Sequence, residues 1–335
     1  MIAAGIEDVN HELIGGIDES LLFGESFEEP AGPSGVSGDA NRITWSPFPS
    51  SARSCGFAVV VGDAQTGLQS QLVNSSGVDS CGVLNAGLDS AGLAFFEGKV
   101  YVGYIYAKNV GSAGGLAVNV SLVDTSSGFS SVLASVSLPL TASTEWTRLE
   151  FSLIPRAGTT CWNDATPRVP CQSTPEGLCI TCGGAFFVSL PPSLTPISVL
   201  FDEAVLAPGP WGATLSSRID IARALTGLTG TESGAKSTGL GLTAIRLGGS
   251  MILADGYKWK AFRGPRWLRD PYAGFWYPFT STGVRRGAEL TAERSPAPSA
   301  LHSQWGMFEF LALCDAAKIE LCVVTMNSGE VSSYQ

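Results

Sequence analysis

Hydrophobic and polar positions alternate from about Ile43 to Leu206. In LAVNVSL, Leu116, Val118, Val120 and Leu122 share one face while Ala117, Asn119 and Ser121 share the other, the period of a half-buried strand. Val132, Ala134, Val136 and Leu138 repeat the pattern, and Leu149, Phe151 and Leu153 do so against Arg148, Glu150 and Ser152. Short alternating strands separated by Gly/Ser turns predict an antiparallel β-sandwich that is a domain in its own right.

After Pro208 and Pro210 the period changes. Leu215, Ile219, Ala222, Leu225 and Leu228 recur at three and four residues, which predicts an amphipathic helix. LTAIRLGGS then reads as a strand buried on both faces. Met307, Phe310, Leu311, Cys314 and Ala317 form a second helical stripe, and LCVVTMNSG is a second apolar strand. Helix followed by buried strand, twice, predicts βα units around a parallel sheet. At the other end of the chain GIEDVNHELIGG, Gly5 to Gly16, sets Glu7, Asp8, His11 and Glu12 among glycines and branched apolar residues. AGPSGVSGDA, Ala31 to Ala40, reads as a linker.

Composition narrows the classes. Of 335 residues 44% are hydrophobic and 15% charged, so a large core is expected and global disorder is not. The formal charge of −10 comes with no basic cluster, which argues against nucleic acid and anionic membrane as partners. No apolar run reaches the roughly 20 residues of a spanning helix. Six of the eight cysteines (Cys55, Cys81, Cys161, Cys171, Cys179 and Cys182) fall in the Gly/Ser-rich region, which also holds the sequons at Asn74 and Asn119. These favour an oxidising, secreted setting. No signal peptide is visible at Met1, and a missing natural start is the preferred explanation.

Several patterns carry less than they suggest. GLGLTA, Gly239 to Ala244, precedes a strand instead of joining strand to helix, so it fails the context of a dinucleotide loop. Cys179 and Cys182 make a single CxxC with no histidine nearby. A disulfide-stapled loop is favoured over zinc, and three pairings with Cys161 and Cys171 stay open. Cys314 and Cys322 read as small core residues. His302 reads as solvent-exposed. Trp259, Trp267, Trp276 and Tyr277 cluster with Arg263, Arg266 and Arg269. That loop reads equally as a stacking wall for a sugar chain or as a mini-core that pins the loop down.

Three segments, IEDVNHE, IRLGGSM and VTMNSGE, are apolar strands whose last residues turn polar, as at the functional rim of a parallel β/α barrel. GIEDVNHELIGG followed by FGESFEEP resembles the opening strand of the α-L-arabinofuranosidases of glycoside hydrolase family 51. The middle region, with SCGVLNAGLDSAGLAFFEGKVYVGYIYAKN, is similar to the carbohydrate-binding-like sandwich inserted in plant-type members. FDEAVLAPGPWG, RIDIARAL, IRLGGSM, YKWKAFRGP and WGMFEFLALCDAAKIELCVVTMNSGE follow in the family's order.

The fold class this resemblance implies is α/β plus all-β, an incomplete (β/α)8 TIM barrel with an inserted antiparallel, jelly-roll β-sandwich. Residues 1–30 would hold the first barrel strand, 31–207 the sandwich, and 208–335 barrel strands two and three. The implied activity is release of terminal arabinose from arabinan or arabinoxylan by a retaining mechanism, with no cofactor and no metal. Glu7 would accept hydrogen bonds from sugar hydroxyls and Arg246 would orient the pocket carboxylates. Ser250 stands where bacterial members carry Asn and plant members Cys. Asn327 and Trp259 complete the expected substrate-binding set.

The acid/base and nucleophile of the family follow later strands. Gln335 arrives before either, so no catalytic residue is expected within the chain. A non-catalytic carbohydrate-binding protein, or a related glycosidase with another glycone, are the alternatives.

Overall fold

The computed structural model describes residues 3–6, 17–28, 35–37, 44–49, 53–111, 114–126, 131–162, 181–209, 240–248, 259–269 and 305–324, with Ser217, Arg218, Ala222 and Leu225. The chain divides into two compact units, Leu21–Pro210 on one side and Met1–Ser20 with Trp211–Gln335 on the other.

The first unit is a sandwich of two five-stranded antiparallel sheets. Its strands are β2 (Trp45–Phe48), β3 (Cys55–Val61), β4 (Gln69–Gly77), β5 (Cys81–Asn85), β6 (Tyr101–Asn109), β7 (Leu116–Asp124), β8 (Ser131–Leu140), β9 (Thr147–Leu153), β12 (Gly184–Leu190) and β13 (Ser193–Pro208). One sheet runs β2-β5-β12-β7-β8 and the other β3-β4-β13-β6-β9. A two-stranded ladder, β10 (Cys161–Trp162) with β11 (Thr181–Cys182), stands beside them.

The alternation read from the sequence becomes the inner face. Val118, Val120 and Leu122 meet Leu149, Phe151 and Leu153 in one core with Phe186, Val188 and Phe201. The expected Val132 stripe is interrupted. A bulge between Leu122 and Val123 shifts the β7–β8 register, so Leu133 enters the core and Val132 stays 60% exposed.

Part of this core comes from before the linker and from within it. Leu22, Phe27 and Val36 are buried in it, and Phe27 stacks on Trp45 with ring centroids 4.4 Å apart. The Trp45 Nε1–H donates to the Gly24 carbonyl at 2.7 Å. Cys55 and Cys81 form a disulfide that ties one sheet to the other.

β13 pairs with β4 on one edge and β6 on the other, and a bulge between Asp202 and Ala204 breaks the β6 register. Asp202 fills the gap in backbone bonding. Its carboxylate accepts the N–H groups of Gln65, Thr66 and Glu203 at 2.7, 3.0 and 2.7 Å, which fixes the β3–β4 turn.

In the second unit β1 (Ala3–Ile6), β14 (Ala244–Leu247) and β15 (Leu321–Val324) form a three-stranded parallel sheet with β14 in the middle. One α-helix is described along its whole length, α1 (Met307–Ala317). Met307, Phe310, Leu313, Cys314 and Ala317 are its buried residues, while Leu311 is exposed. Lys318 in left-handed conformation ends α1, and Ile319 N–H bonds back to Cys314 O at 3.0 Å, turning the chain into β15. Cys314 and Cys322 are disulfide-bonded across this turn, not free core thiols.

β15 differs from the fully buried strand expected, because it lies at an edge of the sheet among the described residues and leaves Leu321 46% exposed. Of the first helical stripe only Ala222 and Leu225 are described. Ala222 N–H donates to Arg218 O at 3.0 Å, a helical spacing.

The expected incomplete (β/α)8 barrel is overturned. The described residues are nearly all β, their two large sheets are antiparallel, and parallel pairing is confined to three four-residue strands, with one α-helix described along its length. A (β/α)8 barrel follows each of eight strands with a helix and closes the ring. The local strand and helix patterns were real, but a period along the chain reports adjacency and not closure.

Candidate functional site

The parallel strands are aligned so that Ile6, Leu247 and Val324 end level with one another. Just inside that edge, Gly5 pairs with Arg246 and Arg246 with Val323. The Arg246 side chain is exposed on an otherwise buried β14. A Cβ built on Gly5 would lie 3.5 Å from Arg246 Nη2, so the guanidinium lies beside the bare glycine backbone. An exposed, planar donor at a strand end suits a carboxylate or a pair of sugar hydroxyls.

Glu7, Ser250 and Asn327 follow these strand ends in the sequence, and all three lie outside the described residues. Trp259 begins a 3-10 turn, Trp259–Phe262, and its side chain also lies outside them. Arg246 is therefore the one expected site residue whose side chain is described. Asp8, His11, Glu12, Trp276, Tyr277 and His302 are likewise outside.

The arginine-rich loop is resolved into supports. Arg266 is buried and holds Asp18 through two bonds, Nη1 to Oδ1 at 3.1 Å and Nη2 to Oδ2 at 3.0 Å, while Nη1 also bonds Glu19 Oε1. Arg269 bonds Glu309 Oε1 at 2.6 Å, and Glu309 Oε2 accepts the Gly306 N–H at the start of α1 at 3.0 Å. Arg263 stays exposed and Trp267 is half-buried. Arg266 and Arg269 are thus held in ion pairs that pin the loop, and neither guanidinium is available to a sugar.

Asp18 and Glu19 went unnoticed in the sequence. Their only signal is an acidic pair after Ile17, and the partner is nearly 250 positions away. Burial pushes the Glu19 carboxyl well above its ordinary value of 4.5. Arg266 opposes this and Asp18 adds to it. Glu19 Oε2 is buried with no hydrogen-bond partner among the described residues.

On the sandwich, β6 and β9 turn Tyr104, Tyr106, Arg148 and Glu150 away from the core. The Arg148 guanidinium lies 4.2 Å over the Tyr104 ring, and Tyr104 OH donates to Glu203 Oε1 at 3.5 Å. Both tyrosines are buried, so neither offers an open ring for stacking. Burial holds the Asp202 carboxyl well above its ordinary value, against the backbone donor of Thr66.

An open cleft of about 470 Å³ sits at the sandwich rim between Gly111, Leu116, Pro191, Ser193, Thr195 and Ile197. Among the described residues no group of three or more His, Cys, Asp or Glu could hold a metal ion. Three disulfides are present among them, Cys55–Cys81, Cys161–Cys182 and Cys314–Cys322, as suits an oxidising compartment. Cys171 and Cys179 lie outside the described residues.

No protein-family model and no curated protein matches the chain. Among solved structures, an arabinose-bound MgGH51 α-L-arabinofuranosidase superposes with a TM-score of 0.62 at 17% identity. The match covers 97% of this chain and 43% of that one, so the chain spans less than half the enzyme's length. A CBM22-1 xylan-binding domain from Paenibacillus barcinonensis Xyn10C gives a TM-score of 0.32 at 14% identity, over 55% of this chain and 90% of its own. The first likeness is one of fold.

Proposed function

We propose that this chain is part of a secreted glycoside hydrolase that releases terminal α-L-arabinofuranosyl units from arabinan or arabinoxylan. In this reading Glu7, Arg246, Ser250, Asn327 and Trp259 serve the furanose pocket of the whole protein, and the hydrolytic carboxyl pair belongs to that whole protein. The observation that supports it is the fold likeness to an arabinose-bound arabinofuranosidase over nearly the full chain. The family-like order of motifs agrees with it, and so does an exposed guanidinium at a parallel strand end.

Calorimetric titration of the chain with L-arabinose and arabino-oligosaccharides tests this. Arg246→Ala should weaken binding about tenfold or more, the loss expected for a charged hydrogen bond worth roughly 1.5–3 kcal/mol. Absence of binding to any arabinose-containing ligand sinks the reading.

The rim cleft favours a second reading, a carbohydrate-binding sandwich without a furanose pocket. In that case binding survives Arg246→Ala and is lost when the cleft is filled by Gly115→Trp, at a glycine that lines it beside Leu116.

A further inference from the structure

Four asparagines are described, and they fall into two kinds. Asn85 donates through Nδ2 to Phe23 O at 2.7 Å and accepts the Gly87 N–H at 2.9 Å. Asn109 donates to Gly114 O at 3.2 Å and accepts the Gly111 N–H at 3.3 Å. Both amides shape turns, and neither lies in an Asn-X-Ser/Thr sequence. Asn74 and Asn119 do lie in such sequences, Asn74-Ser75-Ser76 and Asn119-Val120-Ser121. Neither of their carboxamides makes a hydrogen bond among the described residues.

Their places in the sandwich correspond. Asn74 is near the middle of β4 and Asn119 in β7, each the strand next to an edge of its sheet. Val73 and Val120 point into the core beside them, so both asparagines point outward, from opposite faces of the sandwich. Asn74 is flanked across the sheet by Gly56 and Ser198, and Asn119 by Ser189 and Ser137. All four neighbours are small. A Cβ on Gly56 would come within 3.1 Å of Asn74 Nδ2, so the glycine clears the space the amide occupies. Both asparagines remain partly exposed.

We propose that Asn74 and Asn119 are N-glycosylated, one glycan standing on the outer face of each sheet. In the modification a bond forms between the asparagine Nδ2 and C1 of an oligosaccharide donated by a polyprenyl-diphosphate carrier. The C1–O bond breaks, the diphosphate leaves with the electron pair, and Nδ2 gives up one proton. The hydroxyls of Ser76 and Ser121 are bonded in the folded sheets, to Ser54 O and to Ser135, so the sequons are read while the chain is still extended. The folded chain then accommodates the sugar because its neighbours are glycine and serine. Glycans at these points exclude a polysaccharide from lying flat across the middle of either face. The inference is independent of the glycosidase reading.

The test is secretion of the full chain, behind a secretion leader, from a glycosylating eukaryotic host, with intact mass measured before and after peptide-N-glycosidase. Two glycans are expected. Asn74→Gln and Asn119→Gln should each lose one and the double variant both, with Asn85 and Asn109 never modified. Translation into microsomes reads the same occupancies without requiring any variant to fold. An unchanged mass after enzymatic release, or a glycan persisting in the double variant, overturns the proposal; an empty sequon overturns it for that site.

Discussion

Two carboxylates and one guanidinium in a buried space leave one negative charge in excess, and Asp18, Glu19 and Arg266 are such a group. Asp18 takes the two-pronged face of the guanidinium, which leaves Glu19 the weaker share of it. Burial therefore dominates at Glu19 and its carboxyl titrates above its ordinary 4.5, Arg266 opposing and Asp18 assisting. A group whose folded value is raised helps the fold fully below its unfolded value, and that help is lost as pH climbs through the folded one. Glu19→Gln keeps an acceptor for Arg266 and removes the titration. The stability of wild type minus that of Glu19→Gln should thus fall as pH rises above the ordinary carboxyl value of 4.5, measured by urea unfolding of the second unit. A difference that stays flat, or grows with pH, would mean that attraction to Arg266 outweighs burial.

At the scale of elements, what could be read from the sequence was whatever lies within about ten residues. Leu116 to Leu122 and Leu149 to Leu153 announced their strands because a two-residue period is local. The stripe through Met307 and Phe310 announced α1 for the same reason. The β7–β8 bulge that turned Val132 outward was illegible, since it depends on the partner strand. Arg246 was legible as a polar residue in an apolar strand, but the buried partners of Arg266 and Arg269 were not, being set by tertiary placement.

The Cys314–Cys322 bridge was hidden by its shortness, as a thiol on a helix stripe and one on a strand look like core until the turn at Lys318 brings them together. Sequence separation predicts what the bridges contribute. Cys55–Cys81 is separated by 26 positions and Cys314–Cys322 by 8. The chain-entropy relation gives about 3.5 kcal/mol for the first and about 2.5 kcal/mol for the second. Paired Cys→Ala variants should therefore lower the guanidinium midpoint of the sandwich for Cys55/Cys81 and that of the other unit, by less free energy, for Cys314/Cys322. An unaltered sandwich midpoint without the first bridge would show that the two sheets are held by packing alone.

For the whole molecule, the question with the largest consequence is where the sandwich begins. A composition change at the Ala31–Ala40 linker suggests a start near residue 40, whereas the compact unit runs from Leu21 to Pro210. The energetics separate a 40–207 fragment from a 21–210 fragment. The shorter one loses Leu22, Phe27 and Val36, all buried in the core, each worth roughly 1.5–3 kcal/mol. It also loses the carbonyls of Phe23 and Gly24 that accept Asn85 Nδ2 and Trp45 Nε1, both at 2.7 Å. Glu28, whose Oε1 accepts the N–H groups of Leu68 and Gln69 at 2.7 and 3.1 Å, goes with them. Each buried donor left unpaired costs about 1–3 kcal/mol. The combined loss is comparable to the roughly 5–15 kcal/mol that holds an ordinary domain together. The 21–210 fragment should accordingly melt in one cooperative transition under oxidising conditions, with dispersed amide resonances. The 40–207 fragment should show collapsed resonances and no cooperative melt, even with Cys55–Cys81 intact. Equal melting temperatures for the two fragments would show that residues 21–37 merely decorate a core complete without them.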